Sequence, residues 1–197
     1  MNVAFGAAGA LVLLSSLLPA ASLRYWISPC SRPETECRSD DAELAQWAME
    51  AWQRESAGAL ILTKTDNQMH AQIRFYWASR HEQLYGETKP IVVDGLRGGE
   101  IHVLPSVVPA SERDRLLRDA IVYLTCVHES GHALGLEHTA NFADIMYSFQ
   151  YGGDIGEYFG RYRRELAGRG DIHRRSGISD TDRRQLAVLY AKLKSGH

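Results

Sequence analysis

Eleven residues constrain this chain more than all the others: His128-Glu129-Ser130-Gly131-His132-Ala133-Leu134-Gly135-Leu136-Glu137-His138. A helix turns by about 100° per residue, so His128 and His132, four apart, lie on one face. Two neutral imidazoles placed there suit two corners of a zinc tetrahedron. Glu129 is rotated off that face, badly placed to ligate and well placed to reach a metal-bound water. Gly135 can take positive φ, end the helix and reverse the chain. That reversal brings His138 back as a third ligand. Three protein ligands leave the fourth position to water, which separates a catalytic zinc from a closed structural one. The spacing therefore predicts Zn2+ as cofactor, His128, His132 and His138 as its ligands, and Glu129 as the general base. A helix bearing surface histidines would explain the first five residues alone, but not the glycine and third histidine.

The flanking residues fit a buried helix. Leu117, Ala120, Ile121, Leu124 and Val127 form an apolar stripe leading into His128, and Ser111-Glu112-Arg113-Asp114 has capping-box spacing. Cys126 lies about 200° around the helix from His128 and should be a core thiol. Residues 42–52 carry Leu44, Trp47, Ala48, Ala51 and Trp52 at helical spacing after Asp40-Asp41, with both tryptophans expected in the core. Residues 59–63 and 71–77 read as strands, as do 90–93 and 100–104, with Gly98-Gly99 as a turn. Residues 152–177, rich in glycine and arginine, read as an inserted loop or mobile flap. Its arginines form either a solvated surface or a selector of acidic substrates. Ser179 is placed to cap a last helix that turns Leu186, Leu189, Tyr190 and Leu193 inward.

The long motif resembles the catalytic motif of the metzincin zinc peptidases, and within them the matrixins (matrix-metalloproteinase type). The run His132 to His138, then Thr139, then Ile145-Met146-Tyr147 carries that resemblance. It implies a zincin-like α/β fold: a twisted, mostly parallel sheet of about five strands with three helices, one of them bearing the histidines. It also implies that Met146 belongs to a tight turn under the metal. Leu23 to Ile27 resembles the family's first strand, and Ile178 to Asp182 the start of its C-terminal helix. One of the segments 90–94 and 100–104, the former preferred, would be the edge that pairs with an extended substrate. Ser148 to Tyr151 resembles a wall of the specificity pocket, although plain loop packing explains its aromatics equally well. The implied activity is that of a zinc-dependent metalloendopeptidase acting on peptide or protein substrates. The alternative is a zinc-binding protein of this fold without turnover, which would have no use for Glu129. Some family features are missing: the Pro-Arg-Cys-Gly propeptide switch, a second zinc-ligand set, calcium loops and a C-terminal propeller. His81 and His102 read as ordinary histidines. Residues 22–197 are thus expected to form a minimal catalytic domain.

Composition narrows the setting. The formal net charge of −2 on 197 residues supplies no field for nucleic acid, and a monomer is expected. Residues 3–21 carry no charge, with Leu11 to Leu14 and Leu17-Leu18 as an apolar core and small residues around Ala21. Residues 1–21 therefore read as a secretory signal peptide, which implies a secreted (extracellular or periplasmic) protein free of membrane once cleaved. No Lys or Arg precedes the apolar run, so a membrane anchor is the alternative. In an exported chain Cys30 and Cys37 can bridge a short loop; two free thiols are the other reading.

Overall fold

The computed structural model describes residues 20–79, 85–106 and 114–195. Five strands make one sheet: β1 (Ala21–Ile27), β2 (Leu60–Lys64), β3 (Ile73–Trp77), β4 (Gly86–Val93) and β5 (Leu96–Val103). Their order is β2-β1-β3-β5-β4, with every pairing parallel except β4 with β5. Alternation explains the buried face. Leu23, Tyr25 and Ile27, then Ile73, Phe75 and Trp77, then Ile101 and Val103 all point into the core. Against them pack α1 (Asp41–Glu55) and α2 (Arg115–Ala133). The α1 stripe buries Leu44, Ala48, Met49 and Trp52, and the Trp52 indole N–H donates to the Val127 carbonyl at 3.0 Å. Each large side chain so buried contributes roughly 1.5–3 kcal/mol. Trp47 is only partly buried; its ring stacks on His173, and the Arg169 guanidinium lies over it at 4.8 Å from the ring centroid. At the far end of the two helices Arg118 forms a buried ion pair with Asp41.

This is the expected mixed α/β architecture with a mostly parallel five-stranded sheet. The helix count differs: five α-helices lie among the described residues, not three. The additional two fall in the segment expected to be a loop or mobile flap. They are α3 (Ile155–Arg164) and α4 (Arg169–Arg174), followed by α5 (Asp180–Ser195). Asp154 caps α3 by accepting from the Glu157 N–H at 3.0 Å, and Tyr158, Phe159 and Tyr162 are buried. The arginines are committed to partners within the molecule: Arg163 to Asp114 at 2.9 Å, Arg169 to Asp119 at 3.2 Å, Arg164 to Glu157 at 2.5 Å.

Three smaller expectations also shift. The β4–β5 reversal uses Asp94 and Gly95, both at positive φ (52° and 75°), as two-residue hairpins prefer. Gly98 and Gly99 instead lie inside β5. A Cβ on Gly98 would strike the Gln72 backbone, and one on Gly99 would crowd Ala133, so these glycines serve close approach. The N-cap of α2 is Asp114, which accepts from the Leu117 N–H at 3.0 Å; the rest of the expected capping box and His81 lie outside the described residues. Ser179 does cap α5, accepting from the Asp182 N–H at 3.1 Å, and Leu186 and Tyr190 are buried. No helix among the described residues is long and apolar enough to cross a membrane.

Cys30 and Cys37 form a disulfide across the β1–α1 connection, and Cys126 is a free, buried thiol. The bridge spans seven positions in sequence, and closing so short a loop is worth about 2.5 kcal/mol of unfolded-chain entropy. The Cys30→Ser/Cys37→Ser variant should be less stable by about that amount in urea denaturation. Wild type in reductant should match it, while zinc content stays unchanged.

Candidate functional site

Helix α2 ends where the sequence requires. The Leu136 N–H donates to Gly131 O and the Gly135 N–H to His132 O, both at 2.9 Å, with Gly135 at φ 101°. That pair of bonds is a Schellman termination, and only a residue tolerant of left-handed φ closes it cheaply. The chain then doubles back and brings His138 over the helix.

The three rings converge through Nε2. His132 Nε2 lies 3.0 Å from His138 Nε2, which lies 3.3 Å from His128 Nε2. The opposite nitrogens face main-chain carbonyls: His128 Nδ1 is 2.7 Å from Ile145 O, and His132 Nδ1 is 2.9 Å from Leu136 O. Each of these Nδ1 atoms must donate its proton to the carbonyl, so Nε2 presents a bare lone pair. Lone pairs held so close repel unless a cation sits among them. Tetrahedral zinc with Zn–N near 2.0–2.1 Å sets its ligand nitrogens about 3.3 Å apart. The donor set therefore fits Zn2+. Burial, with help from the neighbouring rings, pushes the His128 imidazole down to about 4, so it is neutral at pH 7 and free to ligate.

A second loop supports this centre. Between Thr139 and Tyr147 the chain makes a tight turn, with the Thr139 N–H donating to Met146 O at 2.8 Å. Met146 is fully buried, and its sulfur occupies the space a Cβ on Gly131 would need. From α5, Asp182 accepts from the main-chain N–H groups of Ile145 (2.9 Å), Met146 (3.3 Å) and Ser179 (2.9 Å). The Tyr158 hydroxyl of α3 shares its proton between the Asp144 carbonyl and the same Ile145 carbonyl that takes the His128 proton, each at 3.1 Å. Ile145 O is thus fixed from two sides.

Glu129 is buried beside the rings, under edge strand β4. Burial raises its carboxyl to about 7, the Thr88 hydrogen bond opposing and Glu87 adding to that shift. The charge of a divalent cation beside it would pull the value back down. Next to it opens a cavity of about 150 Å³, the size that accommodates a benzene ring. Tyr85, Leu124, Phe149, Tyr158 and Phe159 give it apolar walls. Ser148 and Phe149 line it as the sequence suggested, whereas Tyr151 is exposed; Tyr158 and Phe159 come from the unforeseen helix α3.

Among the described residues no strand pairs with the outer edge of β4. Tyr85 O accepts from the Leu104 N–H, which fixes the hydrogen-bonded pairs at odd positions of this antiparallel ladder. Gly86, Thr88, Pro90 and Val92 therefore turn their main-chain groups away from β5. Pro90 sits where its missing N–H costs the sheet nothing. Of the preferred edge segment, 90–94, residues 90–93 are on this strand and Asp94 is in the turn, but the part beside the histidines is Gly86 to Thr88. His102 is not part of the cluster; it stacks on Tyr76. Cys30, Cys37 and Asp41 also lie close together, but both sulfurs are committed to the disulfide and Asp41 to Arg118.

Residues 20–155 match the model of the matrixin family of peptidases (Peptidase_M10). The chain belongs to the matrixin family. Matrixins are zinc-dependent, in agreement with the histidine geometry. No curated protein sequence matches the chain significantly. Among solved structures, archaemetzincin from Methanopyrus kandleri aligns with 91% of this chain and 99% of its own, at 13% identity and a TM-score of 0.44. That likeness is too distant to bear on mechanism. Helix α3 from Gly156 onward, α4 and α5 lie beyond the matched residues.

Proposed function

We propose that this matrixin is a zinc-dependent endopeptidase with His128, His132 and His138 as ligands and Glu129 as general base. The observation that carries the reading is the convergence of three Nε2 lone pairs at zinc-ligand spacing, with a buried carboxylate beside them under a strand edge that no described strand covers. When bound, Zn2+ supplies a Lewis acid that polarises a peptide carbonyl and acidifies a water. The protein does the rest. The free edge at Gly86 and Thr88 pairs with an extended substrate main chain, and Pro90 lacks the donor to continue that ladder. The aromatic cavity takes one apolar side chain of the substrate and fixes the register. Glu129 accepts a proton from the attacking water and delivers it to the leaving amine. Thr88 engages Oε2, which leaves Oε1 for that exchange.

The Cys30–Cys37 bridge supports an oxidising compartment, and with it the reading of residues 1–21 as an export signal. N-terminal sequencing of exported material should then find a start near Ser22; an intact Met1 would favour the anchor.

The decisive experiment is digestion of a peptide library by purified, zinc-loaded protein, with and without a chelator. Cleavage is expected beside leucine- to phenylalanine-sized residues. It should fall below detection on chelation and return with one equivalent of zinc. Stoichiometric zinc with no cleavage of any peptide would instead support a binding protein of this fold.

A further inference from the structure

Glu129 is seated by two successive same-face positions of the edge strand. The Thr88 hydroxyl oxygen lies 2.6 Å from Glu129 Oε2 and 2.9 Å from the Glu129 backbone carbonyl. A hydroxyl has one proton, and a charged acceptor at the shorter distance takes it in preference to a neutral one. Two residues earlier, Gly86 leaves room for the same side chain: a Cβ there would stand 2.7 Å from Glu129 Cγ and 2.9 Å from Oε1. Gly86 thus shapes the space, and Thr88 supplies a directed bond within it.

We propose that Thr88 is a positioning residue for Glu129, its hydroxyl holding Oε2 so that Oε1 is the oxygen presented to the reacting water. This rests on the endopeptidase reading above. A glutamate has three side-chain torsions, and misplacing a reacting group by an ångström can cost about a hundredfold in rate. Buried packing alone does not orient a carboxylate about its last torsion, which is broad; a hydrogen bond to one oxygen does. The residue providing it also offers its main chain to the substrate, so the strand that would receive the peptide is the strand that aims the base.

Three variants test this. Thr88→Val keeps the shape and β-branching and removes the hydroxyl. It should lower kcat about tenfold while KM and zinc affinity stay within about twofold of wild type. Thr88→Ser restores the donor and should recover most of the rate. Glu129→Gln separates this inference from the reading beneath it. If Glu129→Gln cleaves at wild-type rate, the general-base assignment fails. If it is inactive while Thr88→Val keeps wild-type kcat, only the role of Thr88 fails. A Thr88→Val loss confined to KM, accompanied by zinc release, or not rescued by serine would equally overturn it, marking Thr88 as a docking or packing residue.

Discussion

Glu129→Gln is expected to lower peptide cleavage by about 10²–10⁴-fold, the range that a positioned general base contributes. The substitution keeps the shape of the side chain and an acceptor for the Thr88 hydroxyl. It removes only the ability to take up and release a proton. The ligand geometry rests on the three rings and on Ile145 and Leu136 carbonyls, none of which involves the Glu129 side chain. Zinc content should therefore remain one ion per chain by elemental analysis. Loss of zinc together with activity would mean that Glu129 helps to hold the metal. Full activity with zinc retained would remove it from the mechanism.

The second large effect is structural and distant. Asp182 is completely buried and satisfies three main-chain N–H groups, two of them in the turn that contains Met146. Asp182→Ala strands those donors in the core. An unpaired buried donor costs about 1–3 kcal/mol, so three donors at the low end of that range, Ser179 being only partly buried, put the loss at about 3–4 kcal/mol. At this chain length that lowers Tm by about 10 °C. The turn also aims the Ile145 carbonyl at His128, so zinc affinity should fall about 10–100-fold, as it does when an outer partner of a ligand is removed. Calorimetry and competition with a chromophoric chelator would measure the two effects. Asp182→Asn, which keeps one acceptor oxygen, should fall between. A variant that melts normally and binds zinc normally would show that α5 is not needed to brace the centre.

The metal centre was legible because its logic is local. Four residues separate His128 from His132, and a helix places them on one face; Gly135 is the only residue near the end that accepts a φ of 101°. Strand β3 announced itself through alternation, and β1 through its resemblance to the family's first strand. Helix α3 did not, because Gly156 and Gly160 weaken its propensity and its stability comes from burying Tyr158, Phe159 and Tyr162 against α2. One signal was present: Asp154 three residues before Glu157 has the form of a helix start. The seat of Glu129 was illegible for a different reason. Thr88 is 41 residues from Glu129, and their meeting depends on β4 folding back antiparallel along β5, above α2. Nothing in a window around either residue records that encounter.

For the proposed endopeptidase, the exposed flank of β4 carries a consequence for which proteins would be cut. A cutter that grips its target as a sixth ribbon, through peptide groups alone, needs a stretch whose own amides are unengaged and fully straightened. Helices, internal strands and tight knots of native architecture offer no such stretch. Susceptibility would then follow the local slackness of the target more than its spelling, and well-folded neighbours in the same compartment would be spared by their own stability.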